Sequence, residues 1–284
     1  MALLLLRYAE IGLKSDSVRR LFERILINNI LDYFSKQGIE CLISGERGRI
    51  FLETDDASRA IECLKHTFGV ASISTVSVCN SDINAMKVFV TEYFARRLFL
   101  GAKFALRVRR TGSHNFTSME VAKELGATIL AANAEKGIRV DLSHPDIEIF
   151  IEIRGPRAYF FVDKIQGPGG LPLGSQGRVL SIVENEHDIL ATWLMMKRGC
   201  RAIVVSNSNE LIDKLRSWDP NLKAVPPKDI ECLIQEFKAL AVVFGYRSQD
   251  MEKIKSVKIS VPAFFPLVGL DDEEVSRKLS DIVT

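Results

Sequence analysis

The run Gly167–Pro168–Gly169–Gly170–Leu171–Pro172–Leu173–Gly174–Ser175 constrains this chain more than any other stretch. Proline removes a backbone donor, and glycine has no side chain to bias its φ angle. Neither a helix nor a strand continues through such a tract. It divides the chain into two halves with different hydrophobic patterns. After it, short apolar runs at 179–183, 202–206, 240–244 and 258–264 alternate with helical patterns at 188–198, 230–240 and 271–281. Strands separated by helices imply a parallel sheet.

Before it, the order is different. Residues 3–8 read as a strand. Residues 15–34 read as an amphipathic helix with Val18, Leu21, Ile25 and Ile30 facing inward, closed by Gly38. Strands at 39–43 and 49–53 flank a turn at 45–48. Asp56 caps a helix to about residue 67, and 71–78 is β-branched and alternating. The β-α-β-β-α-β order fits a ferredoxin-like α+β unit. A second unit follows: a helix at 82–100, a strand at 103–109, a polar loop at 111–115, and a helix capped by Ser118 that runs to about 133. Strands at 147–153 and 158–164 are joined at Gly155–Pro156. The boundaries expected are 1–80, 81–166, a linker at 167–177, and 178–284.

The apolar run Ala2–Leu6 is five residues long, too short for a signal peptide or a membrane span. A cytoplasmic protein with no membrane partner is expected. Five scattered cysteines form no CxxC pair, so reduced core thiols are expected, and no metal site.

Net charge is only +2, but the distribution is uneven. From Tyr93 to Met119 there are six basic residues (Arg96, Arg97, Lys103, Arg107, Arg109, Arg110) and no acidic one. Residues 103–109 alternate Phe104, Leu106 and Val108 with Lys103, Arg107 and Arg109, which describes a half-buried strand with a basic outer face. Such a face attracts phosphates.

Several ordered segments resemble one family. Arg7–Tyr8–Ala9–Glu10–Ile11–Gly12–Leu13–Lys14, Arg19–Arg20 and Asn29–Ile30 resemble the N-terminal ferredoxin-like domain of the tRNA 4-thiouridine synthetases, the tRNA sulfurtransferases linked also to thiamine thiazole synthesis. Phe104 to Arg110, Ser118–Met119–Glu120 and Glu124–Leu125–Gly126–Ala127 are similar to that family's THUMP domain, and Val140 to Ile147 to its Asp-Leu-x-x-Pro-Asp segment. The Gly/Pro run matches its linker. Trp193–Leu194–Met195–Met196–Lys197–Arg198–Gly199 and Pro266–Leu267–Val268–Gly269–Leu270–Asp271 match its catalytic, ATP-pyrophosphatase-like α/β domain.

The resemblance implies tRNA as partner, held at the acceptor stem and 3′ end. The residues whose chemistry suits that RNA are Lys103, Arg107, Arg109, Arg110, Thr111, Ser113 and Asn115, extended by Arg154 and Lys164 and, in the first domain, by Lys14, Arg19 and Arg20. Phe116 is weighed between stacking on a base and a hydrophobic staple. The family's enzymes carry Ser-Gly-Gly-x-Asp-Ser between strand and helix, and present backbone N–H groups to the phosphates of ATP. Here that place reads Glu184–Asn185–Glu186–His187–Asp188, one residue shorter. Two like charges at 4 Å repel by about 1 kcal/mol even in water. The family's distal sulfur-transfer cysteine has no counterpart. The expectation is a tRNA-binding protein with a degenerate catalytic domain, no catalytic residue and no cofactor. An active sulfurtransferase using ATP and Mg²⁺ is the alternative. A homodimer, and a sulfur-carrier or tRNA-modifying enzyme as partner, stay open.

Overall fold

A computed structural model describes every residue except Arg47, Ala95, Arg96 and Thr284, and leaves aside the side chains of Asp281 and Val283. The turn expected at 45–48 and the basic residue Arg96 therefore involve positions outside the described residues. In chain order the elements are β1 (Ala2–Arg7), α1 (Asp16–Gln37), β2 (Leu42–Glu46), β3 (Arg49–Thr54), α2 (Ala57–Lys65) and β4 (Ser72–Asn80). Next come α3 (Ile83–Phe94), β5 (Lys103–Thr111), α4 (Ser118–Ala132), β6 (Arg139–Val140), β7 (Ile147–Arg154), β8 (Arg157–Phe161) and β9 (Ile165–Gln166). The last part holds β10 (Arg178–Ile182), α5 (Glu186–Lys197), β11 (Arg201–Val205), α6 (Asn209–Arg216), β12 (Lys223–Val225) and α7 (Ile230–Phe237). It ends with β13 (Val242–Val243), α8 (Met251–Ser256), β14 (Ala263–Phe264) and α9 (Asp272–Val283).

The chain forms two compact units. One holds Leu6–Ile73 with Gln166–Thr284, and the other Ala2–Leu5 with Ser74–Ile165. In the first, the final sheet is parallel, in the order β12-β11-β10-β13-β14, as the alternation implies. Its two faces are covered by separate cores. One gathers Ile189, Trp193, Met196, Ile212, Leu215, Trp218 and Val275. The other gathers Leu180, Ile203, Leu233, Phe237 and Phe244. Phe68, from the N-terminal stretch, inserts into the first core, 5.5 Å from Trp193 and 5.2 Å from Trp218 between ring centroids.

The Gly/Pro run is not a loose linker. Gly167 N–H donates to Ala71 O (3.1 Å) and Gly169 N–H to Val70 O (2.8 Å), while Leu171 N–H donates to Lys197 O (2.9 Å) and Gly174 N–H to Gly199 O (2.9 Å). Gly170 sits at φ +76°, where any Cβ would lie 2.2 Å from Lys197 O. The run is thus a strap fixed along both edges, and glycine is required there for close approach.

α1 corrects a second expectation. Its buried face is Phe22, Leu26, Ile30 and Phe34, while Val18 and Leu21 are exposed. In the second unit, α3 and α4 cover one face of β5, β7 and β8, with Phe94, Phe104, Leu125, Ile129, Ile151 and Phe160 in the core. β5 and β7 are parallel, pairing Arg107 with Phe150 and Arg109 with Glu152. The helix expected from Asp82 to Leu100 ends, as described, at Phe94, and Gly101 turns the chain into β5 at φ +74°. Among the described residues no helix is long and apolar enough to cross a membrane.

Candidate functional site

In an open parallel sheet the crevice for ligands lies beyond the carboxyl ends of the strands, where the strand order reverses. Here that point lies between β10 and β13. α5 starts just beyond β10, so its first N–H groups point toward the crevice and carry the positive end of the helix dipole. The N–H groups of His187 and Asp188 already have an acceptor. Asn185 caps the helix, its Oδ1 accepting from His187 N–H (2.9 Å) and Asp188 N–H (3.3 Å). Asp188 turns back, and its Oδ2 accepts from Glu184 N–H (3.0 Å) and Asn185 N–H (3.1 Å). Its Oδ1 accepts from Gly245 N–H (2.9 Å), just after β13. One buried carboxylate therefore closes the strand ends with three backbone hydrogen bonds. Gly245 permits this, because a Cβ there would lie 2.4 Å from Asp188 Oδ1 and 2.6 Å from Asp188 N.

The other members of the expected loop are also occupied. Glu186 accepts from Lys214 Nζ (2.9 Å), and that bond raises the Lys214 pKa above the ordinary lysine value. Glu184 is exposed and His187 is half-buried. Beside them, over the ends of β10, β11 and β12, is a cavity of about 390 Å³ lined by Ile182, Val205, Ser206, Pro227, Lys228 and Ile230. The N–H groups of Glu184, Asn185, His187, Asp188 and Gly245 thus have side-chain acceptors, and a carboxylate stands among them. Among the described residues no three His, Cys, Asp or Glu side chains come together to hold a metal ion.

The basic strand β5 presents a mixed picture. Arg107 is held by Glu148 (Nε–Oε1 2.8 Å) and by Leu142 O (2.8 Å), and Lys103 faces Asp141 at 3.5 Å. Asp141 is lowered in pKa, first by the His144 N–H it accepts. These two cations are therefore not the open phosphate ligands expected from their alternation. Arg109 and Arg110 are exposed, and Arg110 reaches back to Gly112 O and His114 O, each at 3.5 Å. Thr111, Ser113 and Asn115 are exposed on the same loop, which His114 pins through its ring to Gly155 O (2.9 Å). Phe116 is buried in the core beside α4, which settles its role as packing. The cap of α4 is Thr117 rather than Ser118. Arg154 is largely buried, 3.5 Å from Glu152, and does not widen the basic surface. Lys164 lies over the Phe150 ring at 3.5 Å. In the other compact unit, Lys14 and Arg20 are exposed, and Arg19 is tied to Asp16 (2.9 Å) and Glu23 (3.7 Å).

Comparison with known proteins places these features in a family. Residues 3–74 match the model of the ThiI ferredoxin-like domain, and residues 80–163 match the THUMP domain. A probable tRNA sulfurtransferase of Methanobrevibacter smithii is 31% identical over 98% of this chain and 85% of its own length. The tRNA sulfurtransferase of Pyrobaculum aerophilum is 36% identical over 100% of this chain and 67% of its own length. The chain belongs to the tRNA sulfurtransferase family. Among solved structures, PH1313 from Pyrococcus horikoshii superposes with a TM-score of 0.85 at 30% identity, covering 98% of both chains. A 4-thiouridine synthetase solved as an RNA complex with bound ATP shares the fold, with a TM-score of 0.77 at 23% identity. The aligned spans of the two sulfurtransferases, 333 and 336 positions, exceed the 284 residues here, so each relative carries internal residues without a counterpart in this chain.

Within this family's frame, sequence reasoning located the altered loop but missed its partner. Gly245, just after β13, carries the bond to Asp188. Nothing in a single sequence signals a contact between residues 57 positions apart.

Proposed function

We propose that this chain binds tRNA at its acceptor stem and 3′ end through its THUMP and ferredoxin-like domains, and that its C-terminal domain keeps the family fold without ATP chemistry. The observation that carries the second part is the Asp188 carboxylate, which accepts from Glu184, Asn185 and Gly245 where a phosphate would need donors. The first part is supported by the THUMP match, by the names of the relatives, and by the exposed Arg109 and Arg110 beside a polar loop. Double-helical RNA has a major groove too narrow for side chains, so proteins hold its shape through phosphates and 2′-hydroxyls. Exposed cations on a strand fixed in a core suit that task. Docking of a separate tRNA-modifying enzyme or a sulfur carrier would supply chemistry this domain lacks.

One observation favours a second reading. The 390 Å³ cavity at the ends of β10 to β12 is within the size range of small-molecule sites, and an active sulfurtransferase with an unusual loop would use it. Isothermal titration with ATP–Mg²⁺ and with bulk tRNA at moderate salt separates the two. Binding of tRNA without ATP is the expected result. Micromolar binding of ATP would overturn the proposal and favour the enzyme. Arg109→Glu should weaken tRNA binding and lower its dependence on log salt by about one unit of slope. An unchanged slope would remove Arg109 from the interface.

A further inference from the structure

Phe99 stands apart from the other phenylalanine and tyrosine rings described in the Ser74–Ile165 unit. It is 56% exposed, whereas the rest are buried or half-buried. Leu100 beside it is 79% exposed. The backbone under this pair is held firmly. Ala102 N–H donates to Phe99 O (3.2 Å), closing a turn, and Gly101 N–H donates to Lys136 O (2.7 Å). Leu98, one residue before, is buried in the core formed with α3 and α4. The turn is anchored below, and its two apolar side chains remain in water.

The surroundings are basic. Lys136 Nζ donates to Leu98 O (3.0 Å), and the Arg139 backbone N–H donates to Ala102 O (3.1 Å), so both residues stand beside the turn. β6 lies along β5 with Arg139 opposite Lys103. Arg97 packs its guanidinium 3.7 Å over Tyr93. The acids at hand are Glu135 and Asp141, and Asp141 is engaged with Lys103 at 3.5 Å. Arg139 is exposed, with no ion pair among the described residues. An exposed ring on a rigid turn, framed by cations, is how proteins hold an unpaired nucleotide: the base stacks on the ring and the backbone phosphates meet the cations. A duplex does not suit this site, since its bases are already stacked on one another.

We propose that Phe99, with Leu100 at its side, is a stacking platform for an unpaired RNA base, and that Arg139 and Lys136 hold the phosphates next to it. This rests on the RNA-binding reading above, and the experiment keeps the two apart. A blunt RNA hairpin and the same hairpin with a single-stranded 3′ overhang carrying 2-aminopurine are titrated with wild-type protein, Phe99→Ala and Phe99→Tyr. Wild type should bind both, prefer the overhang and quench the 2-aminopurine. Phe99→Ala should lose about ten- to a hundredfold in affinity for the overhang RNA, the range of one base stack, and lose the quenching. Its affinity for the blunt hairpin should be unchanged, and Phe99→Tyr should restore both lost signals. Equal binding and quenching by Phe99→Ala would overturn the platform alone. So would an equal loss for both hairpins. Wild-type protein that binds neither RNA would overturn the RNA-binding reading and the platform with it.

Discussion

Two helices of this protein begin with the same local device and put it to different ends. At α4, Thr117 Oγ1 accepts from Glu120 N–H (3.2 Å) and Glu120 Oε2 accepts from Thr117 N–H (2.7 Å). At α5, Asn185 and Asp188 make the same reciprocal pair. Both are capping boxes. The α4 box is exposed and satisfies only its own helix. In the α5 box Asn185 is exposed but Asp188 is buried, and its second oxygen reaches Gly245 just after another strand. A pattern that normally stabilises one helix start here joins two strand ends and occupies the crevice between them. The difference is set by surroundings: a helix that starts over a sheet's switch point has other backbone within reach, and one that starts at the surface does not.

The sharpest way to break this comparison is to remove the buried carboxylate. Asp188→Ala leaves the N–H groups of Glu184, Asn185 and Gly245 without their acceptor. Each orphaned buried donor costs about 1–3 kcal/mol, and partial access of water offsets some of the total, so a loss of about 3 kcal/mol in urea unfolding is expected. An anion should then take the vacated place. Pyrophosphate should raise the melting temperature of Asp188→Ala and leave that of the wild type unchanged, since a ligand stabilises only the state that binds it. If pyrophosphate shifts both proteins equally, Asp188 is not what fills the crevice.

Gly245→Ala tests the same joint from the opposite side. The new methyl would meet Asp188 Oδ1 at 2.4 Å and the backbone of Asp188 and His187 at 2.6–2.7 Å, and those backbone atoms cannot swing away. Overpacking of this kind costs about 2 kcal/mol. A variant as stable as the wild type would mean that the β13 end sits less tightly against α5 than described.

Much of the fold was legible from pattern. Alternating strands and helices announced the parallel sheet, and the order in the first 80 residues announced the α+β unit. α1 was misread because two apolar stripes run side by side on it. Val18, Leu21 and Ile25 fit helical spacing as well as Phe22, Leu26, Ile30 and Phe34 do, and packing chose the bulkier stripe. The strand expected at 258–264 shrinks to Ala263–Phe264, preceded by Pro262, which has no N–H to give a ladder. α6 and β12 escaped notice because one is a short charged helix and the other three residues long. The candidate interface was legible in its residue types but not in its charges. Lys103 and Arg107 do alternate outward from β5, but Asp141 and Glu148, about 40 residues later in the chain, return beside them. Exposure itself carries no sequence signal, which is why Phe99 passed unremarked beside the more conspicuous Phe116.

The exposed member of the pair should respond weakly, and that contrast is itself a test. Thr117→Ala removes one cap acceptor and should cost about 1 kcal/mol, well below the effect at Asp188. Glu120 gives the same box a pH signature. Its pKa is lowered from the ordinary glutamate value, first by the Thr117 backbone N–H it accepts. A carboxylate lowered in the folded state stabilises at pH values above its unfolded pKa, and that contribution fades as pH falls through the folded value. Glu120→Gln should therefore be slightly less stable than wild type at neutral pH, and the two unfolding curves should converge in acid below the ordinary glutamate range. A gap that persists in acid would mean that Glu120 supports α4 through packing or geometry rather than through its charge. In that case the two boxes would differ in kind, and not only in how far their carboxylates reach.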